Sequence, residues 1–104
     1  MKKVISSPLA PAAVGPYSQA IQAGDTLYVS GQLPIDAATG KFPEGGVKEQ
    51  LHQVFKNIGH VLSEAGYSYS DVVKTTVYLQ DMADFGTLNE VYSQYFSEPY
   101  PARV

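Results

Sequence analysis

From Val47 to Gly66, apolar side chains recur three and four positions apart: Val47, Leu51, Val54, Phe55, Ile58, Val61, Leu62 and Ala65. That spacing gathers them on one face of a helix. Lys48, Glu49, Gln53, Lys56, Asn57, Ser63 and Glu64 then fall on sides that can face water. Glu49 suits a first turn with unpaired amides, and Gly66 suits the left-handed position that ends a helix. A helix with so broad an apolar stripe needs a flat apolar partner, and strand-like segments on either side of it supply a β-sheet. A second stripe, Phe85, Leu88, Val91, Tyr92, Tyr95 and Phe96, predicts another helix over about 82–96, with Asp81 or Asp84 as its cap.

Around these helices the pattern changes to strand periodicity. Lys3–Ser6 is a short strand stopped by Pro8, and residues 8–16, rich in proline and alanine, run extended over a surface. Residues 17–22 and 26–31 form a hairpin turning at Ala23-Gly24-Asp25. In it, Leu27 and Val29 point to the first helix, and Tyr28 and Ser30 point away. Tyr67–Asp71 is a turn. Residues 72–79, VVKTTVYL, make a strand with Val73, Thr75, Val77 and Leu79 on one face. A strand, the first helix and this strand in succession predict a right-handed parallel crossover. Arg103-Val104 begins a further strand after the second helix. The expected architecture is α+β, a single domain over residues 1–104 with two helices on one sheet face and the last strands missing.

Composition narrows the chemistry. The 104 residues contain 7 lysines and arginines against 10 aspartates and glutamates, a formal net charge of -3, with no basic run to follow a phosphate backbone. Without cysteine there is no disulfide framework, thiolate nucleophile or cysteine-based metal site. The first residues lack the unbroken apolar centre of a signal peptide, and no stretch has the length of a membrane span, so a cytoplasmic protein is expected. His52 and His60 lie eight apart on one helix, about 80° around its axis and roughly 12 Å along it, too far to share an ion.

Three features invite chemistry. The connection Gln32–Gly46 is long enough either to be a plain surface crossover or to line a site. Gly31, just past a strand, either marks a bend or lets a ligand approach the backbone; Gly45 and Gly46 are weaker signals. Arg103 lies in a strand context, where a guanidinium can clamp a carboxylate through two parallel hydrogen bonds; the alternative is a strand-edge arginine in water.

The segments APAAVGPYSQAI (10–21), LYVSGQLPID (27–36), VVKTTVYLQDMADFGTLNEVY (72–92) and PYPARV (99–104) together resemble the RidA family, also called the YjgF family. The resemblance implies a chorismate-mutase-like fold and a homotrimer with a ligand cleft at each subunit interface. It implies 2-iminobutanoate/2-iminopropanoate deaminase activity: hydrolysis of enamines and imines such as 2-aminoacrylate to 2-keto acids and ammonia, with no cofactor and no metal. By the same resemblance Arg103 holds the substrate carboxylate and Tyr17 lines the pocket, both as catalytic-site residues. Ser30 and Gly31 form the strand end against which the ligand lies, and Asn89 stands near the cleft. Members of the family run on past the position of Val104 through another strand pair, which carries a water-positioning glutamate. A non-catalytic, regulatory or chaperone-like binder of small carboxylates is the alternative from a different class; the acidic balance argues against nucleic acid as a partner.

Overall fold

The structure, a computed structural model, describes residues 1–104. Helix α1 spans Val47–Glu64 and buries Leu51, Phe55, Val61 and Leu62 from the expected stripe. At its start the Glu49 carboxylate accepts a hydrogen bond from the Gly46 amide at 2.9 Å. At its end Gly66 takes φ +81°, and the Gly66 and Tyr67 amides donate to the carbonyls of Ser63 and Leu62. This paired arrangement satisfies carbonyls that the last turn would otherwise leave open. One polar position departs from the pattern: Asn57, expected at the water-facing side, is fully buried. It sits at the margin of the stripe, and its amide meets backbone carbonyls of the long connection, so burial leaves no polar atom without a partner.

Three short strands form an antiparallel sheet in the order β1 (Lys2–Ile5), β2 (Ala20–Ala23), β3 (Thr26–Val29). The β2–β3 turn places Gly24 at φ +60°, and Asp25 keeps a negative φ. That is the hairpin geometry in which glycine takes the first central position. Ile5, Ala10, Ala20 and Val61 form a small aliphatic core between sheet and helix, with Leu27 and Ala65 against it. Leu27 thus points as expected, whereas Val29, at the strand end, stays at the surface.

Beyond a short helical turn at Tyr69–Asp71, β4 is restricted to Lys74–Thr75, shorter than the predicted strand. Alternation persists beyond it, with Thr75, Val77 and Leu79 half-buried, but Val72 rather than Val73 meets the core. The predicted parallel crossover forms one step later than expected. β3 and β4 belong to separate sheets, and β4 pairs in parallel with β5 (Ala102–Arg103) across helix α2 (Phe85–Tyr95). Hydrogen bonds from Ala102 to Val73, Val104 to Thr75 and Val77 to Val104 occupy that edge of β4. Asp81 caps the turn leading into α2 by accepting from the Ala83 amide at 2.9 Å; Asp84 makes no such bond.

Between α1 and α2 lies a second, aromatic core. Phe55 stacks on Tyr95 and meets Tyr92 and Phe96 edge-on. The Tyr69 hydroxyl donates to the Phe55 carbonyl at 2.6 Å and occupies the space a side chain on Gly59 would need. Burial, and the neighbouring Tyr95 hydroxyl, push the Tyr69 pKa up to about 12, and burial raises Tyr95 as well. His52 Nδ1 lies 2.8 Å from the Tyr95 hydroxyl at the edge of this core. The molecule measures 42 × 34 × 19 Å, and its thin dimension matches about one helix layer on one sheet layer.

Candidate active site

Arg103 is placed by backbone pairing. It stands beside Thr75 in the β4–β5 register, and Thr75 Oγ1 lies 3.0 Å from the Tyr92 hydroxyl on α2. Helical spacing then presents Phe85, Asn89 and Tyr92 to the strand on one face of α2. Arg103 Nη2 donates to Asn89 Oδ1 at 2.8 Å. Its guanidinium carbon lies 4.8 Å from the Tyr92 ring centre and 5.5 Å from that of Phe85. Two aromatic faces and one amide oxygen therefore orient the fork.

No carboxylate neutralises this charge. The single ion pair of the molecule is Lys48–Glu90 at 3.3 Å, on the surface. Arg103 and Asn89 open onto a shallow cleft completed by Tyr92, Ser93, Tyr100 and Pro101. A guanidinium oriented on one side and open on the other suits a small anion that can accept two parallel hydrogen bonds.

Tyr17 and Gly31 line a second, larger cleft of about 470 Å³, between residues 6–17 and the start of the long connection. The connection thus does line a cavity, through Gln32, Leu33 and Ile35 among others. Tyr17 is half exposed, and its hydroxyl accepts a hydrogen bond from the Val14 amide at 3.4 Å. At Gly31 a side chain would meet nothing within 4 Å, and φ is not in the left-handed region. Neither packing nor backbone conformation within the chain demands glycine there. Ser30 has a different part. Its hydroxyl donates to the Ser18 carbonyl at 2.6 Å and its amide to the Gln19 carbonyl, so it ties the strand end to the Tyr17 segment.

The five predicted residues therefore divide. Arg103 and Asn89 come together in one cleft; Tyr17 and Gly31 line the other, with Ser30 fastening its edge. Sequence reading missed Phe85 and Tyr92 as supports of Arg103 because aromatic residues at helical spacing are first of all core residues. Their spacing with Asn89 was the available signal. It also missed Gln19 and Asn57, buried amides at the larger cleft; each follows another polar residue, Ser18 and Lys56, so the sequence carried no cue to their burial.

Comparison with known proteins places the family and the fold. Residues 7–104 match the family model described as Endoribonuclease L-PSP. A RutC family protein of Pyrococcus horikoshii is 55% identical over 100% of this chain and 82% of its own length. The 2-iminobutanoate/2-iminopropanoate deaminase of Mus musculus is 52% identical over 100% of this chain and 76% of its own. The crystal structure of RidA from the Antarctic bacterium Psychrobacter superposes with a TM-score of 0.93 at 51% identity, covering 98% of this chain and 82% of that one. With a shared fold and relatives that align along nearly its whole length at about half identity, the chain belongs to the Endoribonuclease L-PSP family, the RidA/YjgF proteins.

Proposed function

We propose that this chain is a deaminase that hydrolyses 2-imino acids, and the enamines that tautomerise to them, to 2-keto acids and ammonia. The observation that carries the reading is Arg103, oriented by Asn89, Phe85 and Tyr92 and without a carboxylate partner in its own chain. Its relatives at about half identity carry the deaminase name. The guanidinium binds the substrate carboxylate and so fixes the adjacent C=N carbon. Water adds to that carbon, the C–N bond of the resulting carbinolamine breaks, nitrogen leaves as ammonia, and a 2-keto acid remains. A protonated imine is already electrophilic, so the site's work is to hold the carboxylate and present water in a fixed position.

The reading takes residues 1–104 as one domain and the protein as a cytoplasmic homotrimer in which Tyr17 and Gly31 of one subunit face Arg103 and Asn89 of another. In support, the two groups line different clefts of one chain. Only 14 residues are buried, and the outward row Val4, Ile21, Tyr28 leaves Val4 and Tyr28 largely exposed on the sheet. A chain with so small a core gains from covering such a row. Light scattering should give about three times the 11.2 kDa chain mass; a monomer that hydrolyses imines would sink the shared site.

A second reading, a carboxylate binder without turnover, draws on one fact: neither cleft is lined by Asp, Glu or His. One experiment separates them. A purified serine or threonine dehydratase supplies the imine, and its disappearance is followed with wild type, Arg103→Ala and Arg103→Lys. Loss of a bidentate charged contact should slow Arg103→Ala at least about tenfold, and lysine should restore only part. Equal rates for wild type and Arg103→Ala, both folded, would remove Arg103 from the site. No acceleration by wild type, with the 2-keto acid still bound, would favour the binder.

A further inference from the structure

The walls of the larger cleft are mostly irregular backbone, residues 6–17 on one side and 31–40 on the other; apart from the local Asp36–Lys41 bridge, strand pairing does not hold them. Each wall instead rests on one buried side-chain amide. Gln19, 4% exposed, accepts from the Ser7 amide at 2.7 Å and donates from Nε2 to the carbonyls of Ser7, Ala10 and Pro11 at 3.1, 3.4 and 2.9 Å. Asn57, 0% exposed, donates from Nδ2 to the carbonyls of Leu33 and Ile35 at 3.0 and 2.9 Å. Its Oδ1 accepts from Gln53 Nε2 at 2.9 Å, which fixes the orientation of the amide. We propose that Gln19 and Asn57 are positioning residues that set the two walls of this cleft, and with them Tyr17 and Gly31, for the substrate.

The chemistry requires an amide at both places. A neutral planar group that donates through nitrogen and accepts through oxygen is found only in Asn and Gln. A carboxylate of the same shape cannot donate, and it would face two or three carbonyl oxygens in a buried site. Such a carboxyl binds a proton more tightly than in water, because burial and the carbonyl dipoles both oppose its charge. Once protonated it regains one donor.

That reversal makes the role testable. The inference rests on the deaminase reading, so the assay includes wild type at every pH, and each variant is expressed as a ratio to it. At pH 8 Gln19→Glu and Asn57→Asp should each raise KM for the imine about tenfold, the scale of a lost buried hydrogen bond, with kcat changed far less. As pH falls to 6 the ratio should return towards one. A merely structural role would lower the melting temperature and the apparent kcat with the folded fraction and leave KM unchanged at every pH; that result, or wild-type KM at pH 8, overturns the proposal. Should either acid variant fail to fold, Gln53→Met removes only the donor that orients Asn57 and should raise KM by a smaller factor; an unchanged KM there overturns the Asn57 half. If wild type itself does not accelerate hydrolysis, the deaminase reading falls, and the walls are judged by hydrogen exchange. Faster exchange confined to residues 7–12 in Gln19→Glu and to 31–36 in Asn57→Asp supports them; uniform exchange overturns them.

Discussion

The two halves of the proposed site are built on opposite principles. Around Arg103 the functional group is a side chain, exposed, charged and oriented by other side chains on one helix face. Around Tyr17 and Gly31 the functional surface is largely backbone, and the groups that shape it, Gln19 and Asn57, are buried out of reach of solvent. A charge can be aimed by weak, solvent-exposed contacts because its field reaches a substrate ion some way off. A wall cannot, because its position depends on every backbone group behind it being paired. The helix face therefore tolerates adjustment, and the loop walls do not.

Two cores of different character extend the contrast. The Arg103 half rides on the aromatic cluster of Phe55, Tyr92 and Phe96, and the sheet half rests on Ile5, Ala10, Ala20 and Val61. Phe55→Ala, which strips three ring contacts at once, should cost about 3–5 kcal/mol in denaturant unfolding, the largest effect expected here. Hydrogen exchange in that variant should rise first in α2 and β5 while β1–β3 stay protected. Equal loss across both would show that the cores are one cooperative unit.

Smaller changes test how the guanidinium is aimed. Asn89→Ala removes a hydrogen bond to a charged group at an exposed position and should raise KM for the imine about fivefold. Phe85→Leu removes one of two cation–π contacts, worth about 0.5–1 kcal/mol at such a site, and should raise KM roughly two- to fivefold. Both act on one guanidinium, so the double variant should lose less than the sum; strict additivity would show that the supports work independently.

The smallest expected effect is an alkaline one. Tyr69 ionises at about 12 when folded, because burial and Tyr95 oppose its charge, against an ordinary value of 10.0. Between those values the unfolded chain loses the proton and the folded chain keeps it, so this residue's contribution to stability is intact below pH 10 and declines as pH rises to 12. Ultraviolet titration should show late tyrosine ionisation, and Tyr69→Phe should remove its latest step, leaving the smaller delay of Tyr95. A titration of all eight tyrosines near their ordinary value would contradict the burial of this ring.

Sequence alone went far in the regular parts. The spacing of Leu51, Phe55, Val61 and Leu62 determined α1, Gly66 its end and Gly24 the hairpin, because helix and turn geometry depend on neighbours a few residues away. The family resemblance pointed to Arg103, Tyr17, Gly31 and Asn89 as candidate site residues, and for Arg103 the chemistry of a guanidinium in a strand did so as well. Tertiary structure alone decided which strands pair, since β4 meets β5 and not β3 through contacts distant along the chain. It alone decided that Asn57 is buried: helical periodicity places the residue at the edge of a stripe, and only the carbonyls of Leu33 and Ile35, more than twenty positions away, give its amide a reason to be inside. A polar side chain enters a core only when partners meet it there, and those partners are brought by the fold.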